Sequence, residues 1–273
     1  MTKLIDYDPK SKKYLYPQNT DGHYLKYKCL KNVTLDKNYK YVNKTKLFLF
    51  QNFILRLLLI TIGYLLVKIR LGLKVIGKNK IKENKKLLKD GAISISNHIH
   101  MWDFMAINYG IHPFKPYVLV WDKNVMGSSR WFVNHIGGIP IPNDITGSKE
   151  MYKQTKNLIT NGGWLHIYPE GSMWELYRYI RPFKTGVAQM AYMVNKPIIP
   201  MAFSYRKPNW IRRTIFKQEA LLTLNIGDLI IPSTKIKDKN ELTKKCHLEV
   251  CKLAGIKNNL YEPLFNNSEK INY

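Results

Sequence analysis

The chain has 273 residues, enough for one sizeable domain with an appended segment and a buried core. Its 44 Lys and Arg against 19 Asp and Glu give a net charge of +25. Three acidic partners fit such a surface: nucleic acid, an anionic membrane, or an acidic carrier or substrate. A compositional bias toward Lys, Asn and Ile accounts for part of the excess. Three cysteines, odd in number and without paired ligand spacing, argue against a disulfide framework and a structural zinc site.

In chain order, residues 1–46 form a polar, basic segment rich in Lys and Tyr, without the early apolar run of a secretory leader. "LFLFQNFILRLLLITIGYLLV", 47–67, is long enough to cross a bilayer, for which about 20 residues suffice. Gln51, Asn52 and Arg56 interrupt its first half. Lys37, Lys40, Lys44 and Lys46 precede it; Lys68, Arg70, Lys74, Lys78 and Lys80 follow. A span would send one basic flank outward, against the positive-inside tendency. The pattern therefore predicts a helical segment, 47–72, lying in the headgroup plane on the cytoplasmic face of the cell membrane. A single span and a buried core helix are the alternatives.

From residue 73 short strands alternate with helices. "LKVIG" (73–77), "AISIS" (92–96), "YVLVW" (117–121), "WLHIY" (164–168), "IIPMAFSY" (198–205) and "LLTLNIG" (221–227) read as strands, bounded by Gly, Pro, Asn or Lys. Helices are expected at 79–89, 103–110, 124–135, 147–161, 185–195 and 239–255, with a frayed Asn-rich tail after the last. The alternation predicts an α/β fold, a layered mixed sheet flanked by helices, with the N-terminal membrane-associated helical segment attached.

Chemistry concentrates at "SISNHIHMWDF", 94–104. A two-metal reading would need His98 and His100 in a His-x-His-x-Asp-His run, but the aspartate comes one position late and Phe104 stands at the fourth ligand. His112 and His166 lack the turn context of later ligands, so no metal is expected. In a proton-transfer reading, His98 ends a strand and Asp103 opens the following helix, close enough to fold back. A carboxylate on one ring nitrogen fixes the tautomer and leaves the other as a base. No G-x-S-x-G elbow or comparable cysteine supplies a nucleophile, so the base would act on a substrate hydroxyl. From this segment alone, a surface histidine beside a helix-start aspartate is an equal reading.

Further motifs follow: "IYPEGSMW" (167–174), "RPFKTG" (181–186) and "KPIIP" (196–200). With Asn97-His98-x4-Asp103, they resemble the glycerolipid acyltransferases, above all the 1-acylglycerol-3-phosphate acyltransferases. Asn97, His98 and Asp103 match the first family motif, and Tyr168 to Ser172 match Phe-Pro-Glu-Gly-Thr with two conservative changes. Phe183, Lys184 and Gly186 match a common F-K-x-G, and Pro197 to Pro200 the fourth motif. The likeness covers roughly 75–230.

The resemblance implies a 73–273 acyltransferase domain. In it His98 is the base, Asp103 orients it, and Glu170 and Gly171 hold the glycerol part of a lysophospholipid acceptor. Asn97 and Ser172 join the substrate-binding set by their motif positions. The donor would be acyl-CoA or acyl-carrier protein, with no bound cofactor. Both donors are acidic, as are anionic membrane lipids, which suits the basic surface. Nucleic acid is not expected, since no recognition helix or aromatic RNA-binding motif accompanies the charge.

One motif departs. Where the family carries an arginine that contacts the acceptor phosphate, "GGIPIPND" (137–144) has Asn143, and Met173 replaces a second arginine. Arg181 and Lys184 are therefore expected to form the anionic headgroup clamp. Other lysolipids or aminolipids stay open as acceptors, and a metal-dependent hydrolase or a catalytically silent membrane-binding protein is the reading from another class.

Overall fold

The computed structural model describes residues 7, 9, 17, 19, 22–25, 28–233 and 238–256. The tail expected to fray lies outside the described residues. The elements are α1 (Lys46–Leu71), β1 (Lys74–Ile76), α2 (Lys78–Glu83), α3 (Lys85–Leu88), β2 (Ala92–Ile95) and α4 (Asp103–Gly110). β3 (Pro116–Trp121), α5 (Arg130–His135), β4 (Gly138–Ile141), α6 (Ile145–Thr160) and β5 (Trp164–Ile167) follow. The chain continues through α7 (Gly186–Val194), β6 (Ile198–Arg206), α8 (Trp210–Thr214), β7 (Leu221–Ile226) and α9 (Lys239–Ala254).

The strands make one seven-stranded mixed sheet, order β1-β7-β6-β2-β5-β3-β4. Every pairing is parallel except β6 with β7. The central strands β2 and β5 are buried on both faces, as parallel strands covered by helices are. One face packs Ile93, Ile95, Leu165 and Ile167 against α6, α7 and α9. The other packs Trp164, Phe203, Leu222 and Leu224 against α4 and the C-terminal part of α1.

Several elements differ from the sequence expectation: the helix expected at 79–89 is divided into α2 and α3 at Asn84, and α8 was not expected. β4 occupies "GIPI", inside the stretch expected only as a motif; two prolines bracket its last residues. It pairs with β3 alone, at the sheet edge, where a missing N–H is tolerated. The long helix expected at 124–135 is divided into a 3₁₀ turn, Asp122–Val125, and α5.

The apolar segment is one helix of 26 residues, long and apolar enough to cross a bilayer by length and composition. Its buried residues are Phe48, Asn52, Arg56, Leu59, Gly63, Val67 and Leu71. They recur mostly every fourth residue, slower than the 3.6 of an ideal helix. A π turn at Leu59–Gly63 takes up the extra residue and keeps the stripe on one side. At Gly63 an added Cβ would meet Met105 Sδ at 3.5 Å, so the helix lies close on α4.

The polar interruptions face inward. Arg56 Nη2 donates to the carbonyls of Pro116 (2.7 Å) and Ile136 (2.9 Å), Nη1 to Asn108 Oδ1 (3.1 Å), and Nε to Asn52 Oδ1 (2.9 Å). Asn52 Nδ2 in turn donates to the His135 carbonyl at 2.6 Å. Leu47, Phe50, Phe53, Ile62, Leu65 and Leu66 point outward and are exposed. The helix thus presents apolar residues on both sides, with its two buried polar residues, Asn52 and Arg56, turned to the domain. The boundary expected at 72/73 cuts through a shared core, because Val67 and Leu71 pack with Leu73, Ile107 and Phe203.

Replacing Arg56 by Met should leave these carbonyls and Asn108 without their donor, at about 3 kcal/mol. Denaturant unfolding in detergent micelles measures it; Arg56→Lys should also destabilise, since an ammonium cannot reproduce the fork. A stability change within about 0.5 kcal/mol for both would show that the Arg56 hydrogen bonds do not stabilise the docked helix.

Candidate active site

β2 and β5 run side by side and in parallel, so the segments after them, 96–103 and 168–172, emerge at the same carboxyl edge. Such edges gather ligand sites in α/β sheets. Asn97 sits at the exit of β2. Its Oδ1 accepts the Phe203 N–H at 2.8 Å and its Nδ2 donates to the Phe203 carbonyl at 3.2 Å. With both amide groups spent on β6 and the residue 1% exposed, Asn97 stitches two strands together. The substrate-binding place expected for it is replaced by this structural one.

Asp103 opens α4, and its Oδ2 collects three donors. These are the Ile99 N–H (2.7 Å), the His100 N–H (3.0 Å) and His98 Nδ1 (3.0 Å). A carboxylate only accepts, so Nδ1 carries the proton and Nε2 keeps its lone pair. The His98 side chain is 23% exposed while that of Asp103 is fully covered. Nε2 is then the basic atom of a group that reaches solvent and whose orientation is fixed from behind.

The His98 ring stacks on Tyr168, centroids 3.9 Å apart. Beneath it His166 Nδ1 lies 3.0 Å from Ser94 Oγ and Nε2 3.3 Å from Ser96 Oγ. Burial, and secondarily the charge of a protonated His98, push the His166 ring down to about 3, so a neutral imidazole supports the turn that carries His98.

His100 diverges from His98. Its Nδ1 accepts the Trp102 N–H at 3.0 Å, leaving Nε2 to donate toward Glu175 Oε1 at 3.4 Å. Burial lowers the His100 pKa, and burial, then Asp103, push Glu175 up to about 8. The two histidines therefore serve different partners, and among the described residues no group of three His, Cys, Asp or Glu side chains converges as a metal site.

Glu170 lies under the turn rather than in open space. Its Oε2 accepts the His98 N–H (3.2 Å) and Arg181 Nη2 (3.0 Å); Oε1 accepts the Arg181 N–H (2.9 Å). Arg181, 2% exposed, also donates from Nη1 to Ser172 Oγ (2.7 Å) and from Nη2 to the Ser172 carbonyl, and stacks on Trp174 at 4.4 Å. These contacts correct two expectations. Arg181 is a buried brace for Glu170 and Ser172, not a clamp facing an acceptor, and Ser172 Oγ is occupied by Arg181 and by the Gly22 carbonyl at 3.0 Å. Backbone bonds from Trp174 N to the His98 carbonyl (3.1 Å) and from Leu176 N to the Ile99 carbonyl (2.8 Å) join the two segments further.

Gly171 and Lys184 remain at the rim. Gly171 has φ +81°, and an added Cβ would come 2.9 Å from Lys184 Cε; only glycine turns the chain there and admits the lysine stem. Lys184 is exposed. Asn143 Nδ2 donates to Asp122 Oδ2 at 2.7 Å, so it fastens the exit of β4 to the exit of β3.

Residues 72–204 match the family model described as Acyltransferase. This stretch is similar to an acyltransferase domain. It contains the His98–Asp103 pair, Glu170, Arg181 and Lys184, whereas α1, α8, β7 and α9 lie outside it. The crystal structure of the 1-acyl-sn-glycerophosphate (LPA) acyltransferase PlsC of Thermotoga maritima is similar to this chain at 14% identity and a TM-score of 0.43. The likeness covers 78% of this chain and 97% of that one. No curated protein matches the sequence.

Sequence reasoning missed three parts of the acyltransferase site. The Trp174–Arg181 stack and the His100–Glu175 contact join residues far enough apart that only the fold brings them together. Tyr168 could have been noticed, since it adds a hydroxyl where the family motif has Phe. That hydroxyl is buried and finds no hydrogen-bond partner among the described residues; burial raises its pKa. Tyr168→Phe should therefore keep the stack on His98 and raise stability by about 1 kcal/mol in thermal unfolding. A loss of stability would show that the hydroxyl has a partner.

Proposed function

We propose that the protein moves a fatty acyl group from a thioester donor, acyl-CoA or acyl-carrier protein, to the hydroxyl of a lysophospholipid, 1-acylglycerol-3-phosphate above all, at a membrane surface. The observation that carries this reading is His98, its Nδ1 held by Asp103 and its Nε2 left as the base at the carboxyl edge of the sheet. Nε2 takes the acceptor proton as the hydroxyl oxygen attacks the thioester carbonyl. The tetrahedral intermediate collapses with loss of the thiolate, which recovers the proton from the imidazolium. Asp103 steadies that imidazolium, and a base so placed contributes roughly 10² to 10⁴-fold in rate. Glu170 acts through the His98 backbone, keeping the ring at its post.

The exposed apolar side of α1 supports a membrane surface as the workplace. Docking of Asn52 and Arg56 along the domain favours an in-plane helix over a span, because a span would have to leave those partners. Lys184, beside Gly171 and exposed, is the cation suited to an acceptor phosphate.

Purified protein incubated with mixed lysolipids and both donors, with products identified by mass spectrometry, tests the reaction class. His98→Ala should lower transfer by about 10³-fold or more with folding intact, whereas His100→Ala should keep substantial activity. Equal loss from both, restored by zinc, would replace the base with a metal. For the acceptor, Lys184→Ala should raise KM for a phosphorylated lysolipid about tenfold and leave a neutral one unchanged. Arg181→Ala should instead lower kcat on both, because it removes the brace of Glu170. A KM effect confined to Arg181→Ala would restore the clamp first expected of that residue.

A further inference from the structure

β6 and β7 are antiparallel neighbours whose last pair is Arg206 with Leu221. A hairpin of this kind closes with a few residues, yet the chain spends 207–220 on the connection. The excursion contains α8 and carries Trp210, Ile211, Ile215 and Phe216, all exposed, Trp210 at 73%. Four basic residues, Lys207, Arg212, Arg213 and Lys217, accompany them with no acidic residue through 218. Exposed Trp and Phe among Lys and Arg are the composition of segments that lie in a lipid headgroup layer.

Its position is fixed. Arg212 Nη1 donates to the Ile69 carbonyl at 3.1 Å, and Gln218 Nε2 donates to the carbonyls of Ile69 (3.0 Å) and Arg70 (2.6 Å). Arg206 Nη2 donates to the Gly72 carbonyl. These donors satisfy the open carbonyls at the end of α1 and weld the excursion to it. Gly72, φ +57°, sits where an added Cβ would come 2.8 Å from Leu221, so the chain turns tightly beneath the weld.

We propose that residues 207–217 are a second contact with an anionic lipid bilayer, continuous with the apolar side of α1. The inference rests on the membrane-surface part of the proposed function. Charge complementarity selects the occupant: four cations beside bare aromatic and aliphatic side chains fit acidic headgroups over acyl chains, where Lys and Arg reach up to phosphate. The contact also has a direction. β6 runs parallel to β2, so Arg206 leaves the sheet at the same edge as Asn97 and His98, and Tyr205 Oη donates to the Tyr177 carbonyl beyond Glu170 at 2.8 Å. One contact along α1 lets the domain roll about the helix axis; a second at this edge stops the roll and turns the edge that carries His98 toward the lipid.

Vesicle co-sedimentation of the full chain tests this, with phosphatidylcholine alone and with phosphatidylglycerol added. Trp210→Ser with Phe216→Ser should weaken partitioning about tenfold on both vesicles. Arg213→Ala with Lys217→Ala should weaken it several-fold on the anionic vesicles only, an effect erased by salt. A short-chain acceptor dissolved below its micelle concentration should be acylated at the parental rate by all of them, which shows that they fold. Leu57→Ser with Leu65→Ser on α1 reports separately on the helix. Loss with that pair but unchanged partitioning in the 210–217 variants overturns the second contact alone; unchanged partitioning in every variant overturns the membrane reading as well. A dimer that Trp210→Ser with Phe216→Ser dissolves, with partitioning unchanged, would give the patch to a second copy of the chain instead.

Discussion

One carboxylate oxygen organises the site. Asp103 Oδ2 takes the His98 ring and two backbone N–H groups at once, so the same atom that selects the tautomer also shapes the turn that carries the ring. On the other side of His98 the backbone N–H is taken by Glu170, whose charge is met by Arg181. Taking a Glu–Arg pair out of water costs several kcal/mol per ion before contacts return it. Here the guanidinium recovers that cost through Glu170, Ser172 and the face of Trp174. A removed partner would strand a charge next to the His98 backbone. This buried chain of contacts lets a surface-reaching histidine behave as a rigid part of the core.

Much of this was legible in the sequence where the relevant contacts are short in sequence or periodic. The His98–Asp103 pair spans five positions, so a strand end followed by a helix start brings the two together almost without tertiary information. Central strands such as "AISI" and "WLHI" announce themselves as short runs carrying isoleucine or aromatic residues between turn-forming residues. β4 did not, because Gly138, Pro140 and Pro142 read as a loop; only its place at the sheet edge makes a strand of it. Asn97, Ser172 and Arg181 were legible as important and illegible as to why. Each is polar and stands in a motif, which suits a ligand as well as a brace, and the partners that decide, Phe203, Gly22 and Trp174, are set by the fold.

The apolar segment shows the same limit from the opposite direction. Asn52 and Arg56, four residues apart, break the hydropathy of 47–67, and in a linear reading they weaken a membrane helix. On a helix that spacing puts them on one face. They are the docking face, and Arg56 supplies donors to carbonyls of two strand entries that the sheet leaves open. The apolar outer side and the two polar residues of the inner side then belong to one helix, whose C-terminal half packs into the core while its N-terminal half is hydrogen-bonded to the domain.

That arrangement sets an order of events. A guanidinium in the middle of an unattached helix penalises insertion into hydrocarbon by about 2.5 to 3.5 kcal/mol. Once Pro116, Asn108 and Ile136 have taken the guanidinium, the outward surface holds no charge at that level and the penalty disappears. On the proposed membrane surface, docking of the guanidinium would therefore add to the affinity for lipid that the apolar outer side already gives the helix. In the proposed membrane reading, the arginine would link how firmly the helix holds to lipid with whether the core behind it has formed.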